Sequence, residues 1–129
     1  MPDIYLIFSH KLTPQQERDL RENWQVKNFI ALPKHLQELW SNIPPDLSSL
    51  SSYLKPIKDW LKENGKKGDL VLIQGDFGAV YLMVNYAFEL GLVPVYATTE
   101  RFVREEISPA GEVAMNRIFR HKIFRVYGR

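Results

Sequence analysis

Asp69-Leu70-Val71-Leu72-Ile73-Gln74-Gly75-Asp76-Phe77-Gly78 is the stretch on which the fold turns. Leu70 to Ile73 is an unbroken apolar run of strand length, without the alternation of a strand that has one wet face. It predicts a strand covered on both sides, the habit of parallel sheets. The polar, glycine-containing turn then leads into a helix over about Phe77 to Leu90, stopped by Gly91. Val80, Met83, Val84, Ala87 and Phe88 make one face of that helix, while Tyr81, Leu82 and Tyr86 occupy others. A helix so apolar all round needs more cover than a sheet alone provides.

Working outward, the same grammar repeats. Ile4 to Phe8 is a second apolar run, read as the first strand, followed by the polar loop Ser9-His10-Lys11. Thr13-Pro14-Gln15-Gln16 is a helix start, with Thr13 as cap, Pro14 in the first helical position and Gln16 completing a capping box, and this helix runs to about Asn23. Val26 to Leu32 is a shorter strand, and Pro33 opens a helix through Leu36, Leu39 and Trp40. Ile43 to Ser52, with its prolines and serines, is a loop. Leu50, Tyr53, Leu54, Ile57 and Leu61 form one helical stripe, with Pro56 either kinking it or marking its first turn, and Gly65 ends it. Leu92 to Ala97 is the fourth strand. Arg101 to Ile107 and Arg117 to Tyr127 both suit β structure around the turn Ser108-Pro109-Ala110-Gly111, which predicts a C-terminal hairpin extension. Alternating strands and helices imply an α/β fold, Rossmann-like, with a mainly parallel sheet and helices on both faces, in one domain spanning 1–129.

Composition narrows the chemistry. At 129 residues, with 45% hydrophobic and 25% charged side chains, the chain has ordinary globular proportions and is neither disordered nor a coiled coil. The absence of cysteine removes disulfides, thiolate nucleophiles and thiolate zinc sites, and leaves His10, His35 and His121 as the soft metal ligands, so no metal and no cofactor is expected. No apolar run approaches a membrane span and Met1-Pro2-Asp3 lacks the basic flank of a signal peptide, so a soluble cytoplasmic protein is expected. The net charge is +2, but residues 101–129 carry seven Lys/Arg against three Asp/Glu. That basic tail suits a phosphate-bearing partner, and equally a strand edge defended by charge.

In open α/β sheets ligands bind beyond the carboxyl ends of the strands. Three polar segments are expected there: Ser9-His10, Gln74 to Gly78, and Thr98-Thr99-Glu100-Arg101. Gly75 and Gly78 would let backbone amides at a helix start approach phosphate oxygens, although a tight connection asks for glycine anyway. Asp76 either caps the helix, accepts from a ribose or adenine group, or holds a catalytic hydroxyl. His10 beside Ser9 could pass a proton or donate to a phosphate, Arg101 could fork onto one, and Thr98 and Thr99 could donate hydroxyls, or these last could serve only the turn. His35 reads as a helix-surface residue. His121 reads as part of a half-buried strand face or, second, as a ligand contact. Trp24, Trp40 and Trp60 read as core or interface. The chain carries no GxxxxGK[ST] loop, GxGxxG fingerprint, GxSxG elbow or HExxH helix. A phosphoacceptor receiver is disfavoured too, since the first strand ends in Ser9-His10 where an acidic pair belongs.

Taken in order, YLIFSHKLT (Tyr5 to Thr13), IPPDL (Ile43 to Leu47), YLKPI (Tyr53 to Ile57), LVLIQGDFGAVYLMVN (Leu70 to Asn85), PVYATTER (Pro94 to Arg101) and FRHKIFRVY (Phe119 to Tyr127) resemble a family of small standalone CRISPR-associated proteins of type III systems, grouped with CARF-like ring nucleases. The resemblance implies binding and cleavage of a cyclic oligoadenylate messenger, the tetra-adenylate foremost, by a homodimer that holds the ring across its two-fold axis. It implies metal-independent attack of a ribose 2'-hydroxyl and involves neither membrane nor DNA. Within that reading His10, Ser9 and Asp76 are the catalytic candidates. Gln74, Gly75, Phe77, Gly78, Thr98, Thr99 and Arg101 are the ligand-binding ones. Competing expectations are a module that sequesters the messenger uncut, a nuclease or binder of linear RNA, and a purely structural partner.

Overall fold

The computed structural model describes residues 1–129. Its elements are β1 (Ile4–Ile7), α1 (Pro14–Asn23), β2 (Phe29–Ala31), α2 (Lys34–Ser41), α3 (Lys55–Asn64), β3 (Leu70–Ile73), α4 (Phe77–Glu89), β4 (Val93–Ile107) and β5 (Val113–Val126). They build an α/β fold around one sheet in the order β2-β1-β3-β4-β5. β1 through β4 pair in parallel, and β5 runs antiparallel along β4. No helix is long and apolar enough to cross a membrane.

The unbroken apolar runs do what their composition demands. All four residues of β3 are buried, because the strand is central and covered twice. Alternate side chains sort to opposite faces. Tyr5, Ile7, Val71 and Ile73 pack with Leu36 and Trp40 of α2, Ile57 and Leu61 of α3, and Ala79, Met83 and Ala87 of α4. Ile4, Phe8, Leu70 and Leu72 pack with Leu20 of α1, Val95 and Phe124. Helices therefore cover both faces, three on one and α1 on the other. Burial of each such large side chain contributes roughly 1.5–3 kcal/mol.

Local signals are realised closely. Thr13 Oγ1 accepts from the Gln16 amide at 3.2 Å and Gln16 Oε1 accepts from the Thr13 amide at 3.0 Å, the capping box that starts α1. Pro56 falls in the first turn of α3, so the apolar stripe beginning at Leu50 enters the helix from a preceding turn and no kink is needed. The second strand is shorter than expected, Phe29–Ala31 within Val26 to Leu32.

One expectation changes. Thr98 to Arg101 is not a loop after the fourth strand, since β4 runs on without a break to Ile107. A register shift between Ala97 and Thr99 absorbs the extra residue, and Thr98 Oγ1 bridges the gap, accepting from the Ile123 amide at 3.1 Å and donating to its carbonyl at 3.2 Å. Two threonines and a valine downstream favour extended backbone, so pairing with β5 outcompetes a turn. The further cover that the composition of α4 calls for does not come from this chain: its outward Phe77, Tyr81 and Phe88 are 95%, 69% and 48% exposed.

Beyond Thr99 the β4–β5 ribbon has no neighbouring strand and projects as an arm. Ser108 closes its tip, its amide donating to the Glu112 carbonyl at 2.8 Å and its Oγ accepting from the Glu112 amide at 3.1 Å. Gly111, at φ +83°, supplies the left-handed residue this turn requires.

Candidate functional site

Gln74 is the hub of the carboxyl rim. β3 ends at Ile73 while its neighbour β4 continues, so the Ala97 amide would lack a partner. The Gln74 side-chain oxygen accepts from it at 2.7 Å in place of a backbone carbonyl. The Gln74 amide donates to the Ile7 carbonyl at 3.1 Å, and its own carbonyl accepts from the Trp40 indole N–H at 3.0 Å. Its acceptor is spent on the sheet, and its amide nitrogen is the group left for a ligand. The same indole explains Gly75, because a Cβ there would lie 3.0 Å from Trp40 Nε1. Gly78 has no such constraint, with ordinary contact distances and an exposed place in the first turn of α4.

Asp76 takes the capping role. Its carboxylate accepts from the Ala79 amide at 3.0 Å and sits on the positive end of the helix dipole. The Phe77 and Gly78 amides keep no partner within the chain.

Three clefts open along this rim. The first, about 670 Å³, lies between the first turns of α1 and the root of the arm. It is lined by Thr13, Gln15, Gln16 and Arg18 on one side, by Thr98, Thr99, Phe119, Arg120 and His121 on the other, with Gln74 and Ala97 between. None of its twelve lining residues is a carboxylate. The Arg18 guanidinium, hydroxyl and amide donors and the N-terminal end of α1 give it a positive character suited to phosphate oxygens, while Arg120 lines the wall with its guanidinium turned 5.1 Å over the Phe102 ring. The second, about 540 Å³, holds Ser9 and His10 with Lys11, Glu17 and Gln37 over an apolar floor of Leu6, Phe8 and Phe29. The third, about 330 Å³, is lined by Gln74, Gly75, Phe77, Val80, Tyr96, Ala97 and Tyr127.

The site candidates are thus divided. Gln74, Thr98 and Thr99 share the first cleft, Gln74, Gly75 and Phe77 the third, and Ser9 and His10 the second. The segment from Ser9 to Gln16 is the wall between the histidine and the positive cleft. Ser9 is tied down by Ser41, whose hydroxyl reaches its Oγ at 3.1 Å. Asp76, Gly78 and Arg101 line none of the three; Arg101 lies on the arm, its guanidinium 5.3 Å above the Phe119 ring.

Sequence reasoning missed Arg18, Arg120 and the part played by His121. His121 is buried, with Nε2 2.7 Å from Asp19 Oδ2 and a ring stacked obliquely on Phe124. Its Nδ1 is buried without a partner. This contact joins α1 to β5 and so fixes the two walls of the positive cleft relative to each other. Across the sheet, Tyr127 donates its hydroxyl to the Ile73 carbonyl, and burial, reinforced by Tyr96, pushes its pKa above the usual tyrosine value.

A mostly parallel α/β sheet with a carboxylate-free cleft bearing Arg18 at its carboxyl rim defines the class as an α/β protein. The chain belongs to the Uncharacterized protein MJ1673 family, whose model matches residues 2–125. It is similar to the uncharacterized protein MJ1673 of Methanocaldococcus jannaschii, with 53% identity over 127 residues and 98% of each chain covered. No solved structure matches.

Proposed function

We propose that this protein is a CARF-like ring nuclease of Rossmann-like topology. It binds a cyclic oligoadenylate, the tetra-adenylate foremost, and opens it without a metal. In the reaction a ribose 2'-hydroxyl attacks the adjacent phosphorus and the P–O5' bond breaks. The 2'-hydroxyl gives its proton to solvent, the departing 5'-oxygen takes one up, and a 2',3'-cyclic phosphate remains. The biological result is silencing of a type III CRISPR signal in the cytoplasm.

The observation that carries the reading is the 670 Å³ cleft with Arg18, hydroxyl and amide donors and no carboxylate. Such a volume is within the range of about 300–1,000 Å³ usual for one small-molecule site. A ring of four nucleotides is best served by two of these clefts, related by the two-fold axis of a homodimer. Arg18 holds a phosphate, Thr98, Thr99 and the Gln74 amide nitrogen address ribose or base, and the Phe77 and Gly78 amides take the next phosphate along. His10, with Ser9, supplies the proton that the leaving oxygen takes up, which requires the ring to span the Ser9–Gln16 segment that separates the two clefts. Catalysis then rests on orientation and charge placement, which supply on the order of 7–11 kcal/mol in well-positioned systems.

A second reading, sequestration without cleavage, is favoured by one observation: His10 opens into a different cleft from the arginines. One experiment separates them. The protein is incubated in EDTA with cyclic tri-, tetra- and hexa-adenylate, and bound and free ligand are identified by mass. Linear products ending in 2',3'-cyclic phosphate support the ring nuclease, and retained intact ring supports sequestration. A protein that neither retains nor cuts any ring overturns both, and steep loss of linear RNA binding with added salt then points to an RNA binder.

A further inference from the structure

The arm presents two faces of different character. Directly paired residues of an antiparallel ribbon share a face. The ladder therefore puts Arg101 with Phe119, Val103 with Arg117, Glu105 with Met115 and Ile107 with Val113 on one side. Val103, Ile107, Val113, Met115 and Phe119 are 55%, 75%, 60%, 64% and 60% exposed, so five large apolar side chains stand in a row over bare solvent. This is also the side on which His121, two residues beyond Phe119, meets α1, and α1 covers the ribbon there and no further. An uncovered two-stranded ribbon is marginal by itself in water, and a contiguous apolar strip of this kind marks a contact surface.

The charges on the same face identify what covers it. Arg101 and Arg117 lie toward the root, Glu105 lies toward the tip, and Glu112 sits in the closing turn. A second copy laid on this face in the opposite direction sets each acidic tip over a basic root. A copy laid in the same direction stacks like on like. The face is self-complementary under a two-fold axis, which is the requirement of an isologous contact. We infer that the arm is the dimerisation element of this protein: the two arms pack face to face and antiparallel, and each carries its tip to the Phe119 edge of the other subunit's positive cleft. This deepens the proposed function, resting on it for the two-fold ligand, while the arm contact itself needs no ligand.

The experiment measures mass in solution without ligand, by light scattering behind size exclusion. The native chain is expected at about twice 15.1 kDa. One variant is made all-basic, Glu105→Arg with Glu112→Arg, and another all-acidic, Arg101→Glu with Arg117→Glu. Each alone is expected to fall to a single chain, because tip and root now repel, and an equal mixture is expected to return to the two-chain mass. All these positions are exposed, so far-ultraviolet circular dichroism should match the native protein. A monomeric native chain overturns the inference. So does a native dimer that survives both charge variants or is lost in Tyr81→Lys on the exposed face of α4 and not in Met115→Lys on the arm. Because no ring is present, failure of the ring-nuclease reading leaves each of these outcomes readable.

Discussion

Asp19→Ala tests how the cleft is held open. The substitution strips the one partner from a histidine side chain that is 5% exposed, and the aspartate it removes is itself only 13% exposed. Losing a hydrogen bond that involves a charged group, with the other partner left dry, costs about 2–3 kcal/mol. Unfolding entropy near the midpoint is about 2.1 cal/mol/K per residue, or roughly 0.27 kcal/mol/K for a chain of this length, so the melting temperature should drop by about 7–11 °C. Differential scanning calorimetry reads this directly. Replacing the pair together, Asp19→Leu with His121→Phe, leaves nothing unsatisfied and should cost much less than the two single losses added, as apolar replacement of buried ionic pairs commonly does. Hydrogen exchange should locate the damage at the root of the arm rather than in β3. A drop below about 2 °C for Asp19→Ala, or strictly additive single and double variants, would refute the view that this contact fixes the two walls of the cleft.

Gly75 stands at φ +157°, and a methyl group there would also lie 3.0 Å from the Trp40 indole, so Gly75→Ala should destabilise by about 1–3 kcal/mol; urea midpoints decide. Burial raises the pKa of Tyr127, with Tyr96 adding to it, and burial raises that of Tyr5, with Asp69 and then Asp3 adding. The folded state therefore prefers both phenols neutral. Their contribution is complete below about pH 10 and declines as pH climbs from there through the raised values, so Tyr5→Phe with Tyr127→Phe should flatten the alkaline arm of a stability profile. Arg18→Ala should weaken ring binding by about tenfold or more in equilibrium titration while leaving the melting curve in place. For His10→Ala, single-turnover cleavage should slow at unchanged affinity, and an unaltered rate constant removes the residue from catalysis.

Legibility followed the range of the interactions. β3 and the start of α4 could be read because a continuous apolar run and a capping aspartate are local facts, and the Thr13–Gln16 box is complete within four residues. Thr98 to Arg101 misled because the bulge that keeps β4 going depends on Ile123, across the ladder. The Asp19–His121 contact spans 102 positions, and neither residue announces it, since one is an ordinary helix charge and the other an alternating strand residue. Arg18 likewise resembles any solvated helix arginine until β5 is brought opposite it. The rim loops did gather at one end of the sheet, but the first turns of α1 stand between His10 and Gln74, a separation no spacing along the chain reveals.

The arm and the sheet also differ in how far the chain must travel to make them. β4 and β5 are joined through a five-residue turn from Ser108 to Glu112, whereas across the β1–β3 seam Ile4 is paired with Leu70. Hairpins zip in about 1–10 microseconds, while pairings between distant segments must first meet the entropy of closing the intervening loop. On refolding, the ribbon should therefore form early and the β1–β3 seam late. For that interval the growing molecule is a sticky strip attached to an unfinished body, and dilution rather than temperature should govern whether it reaches its native form.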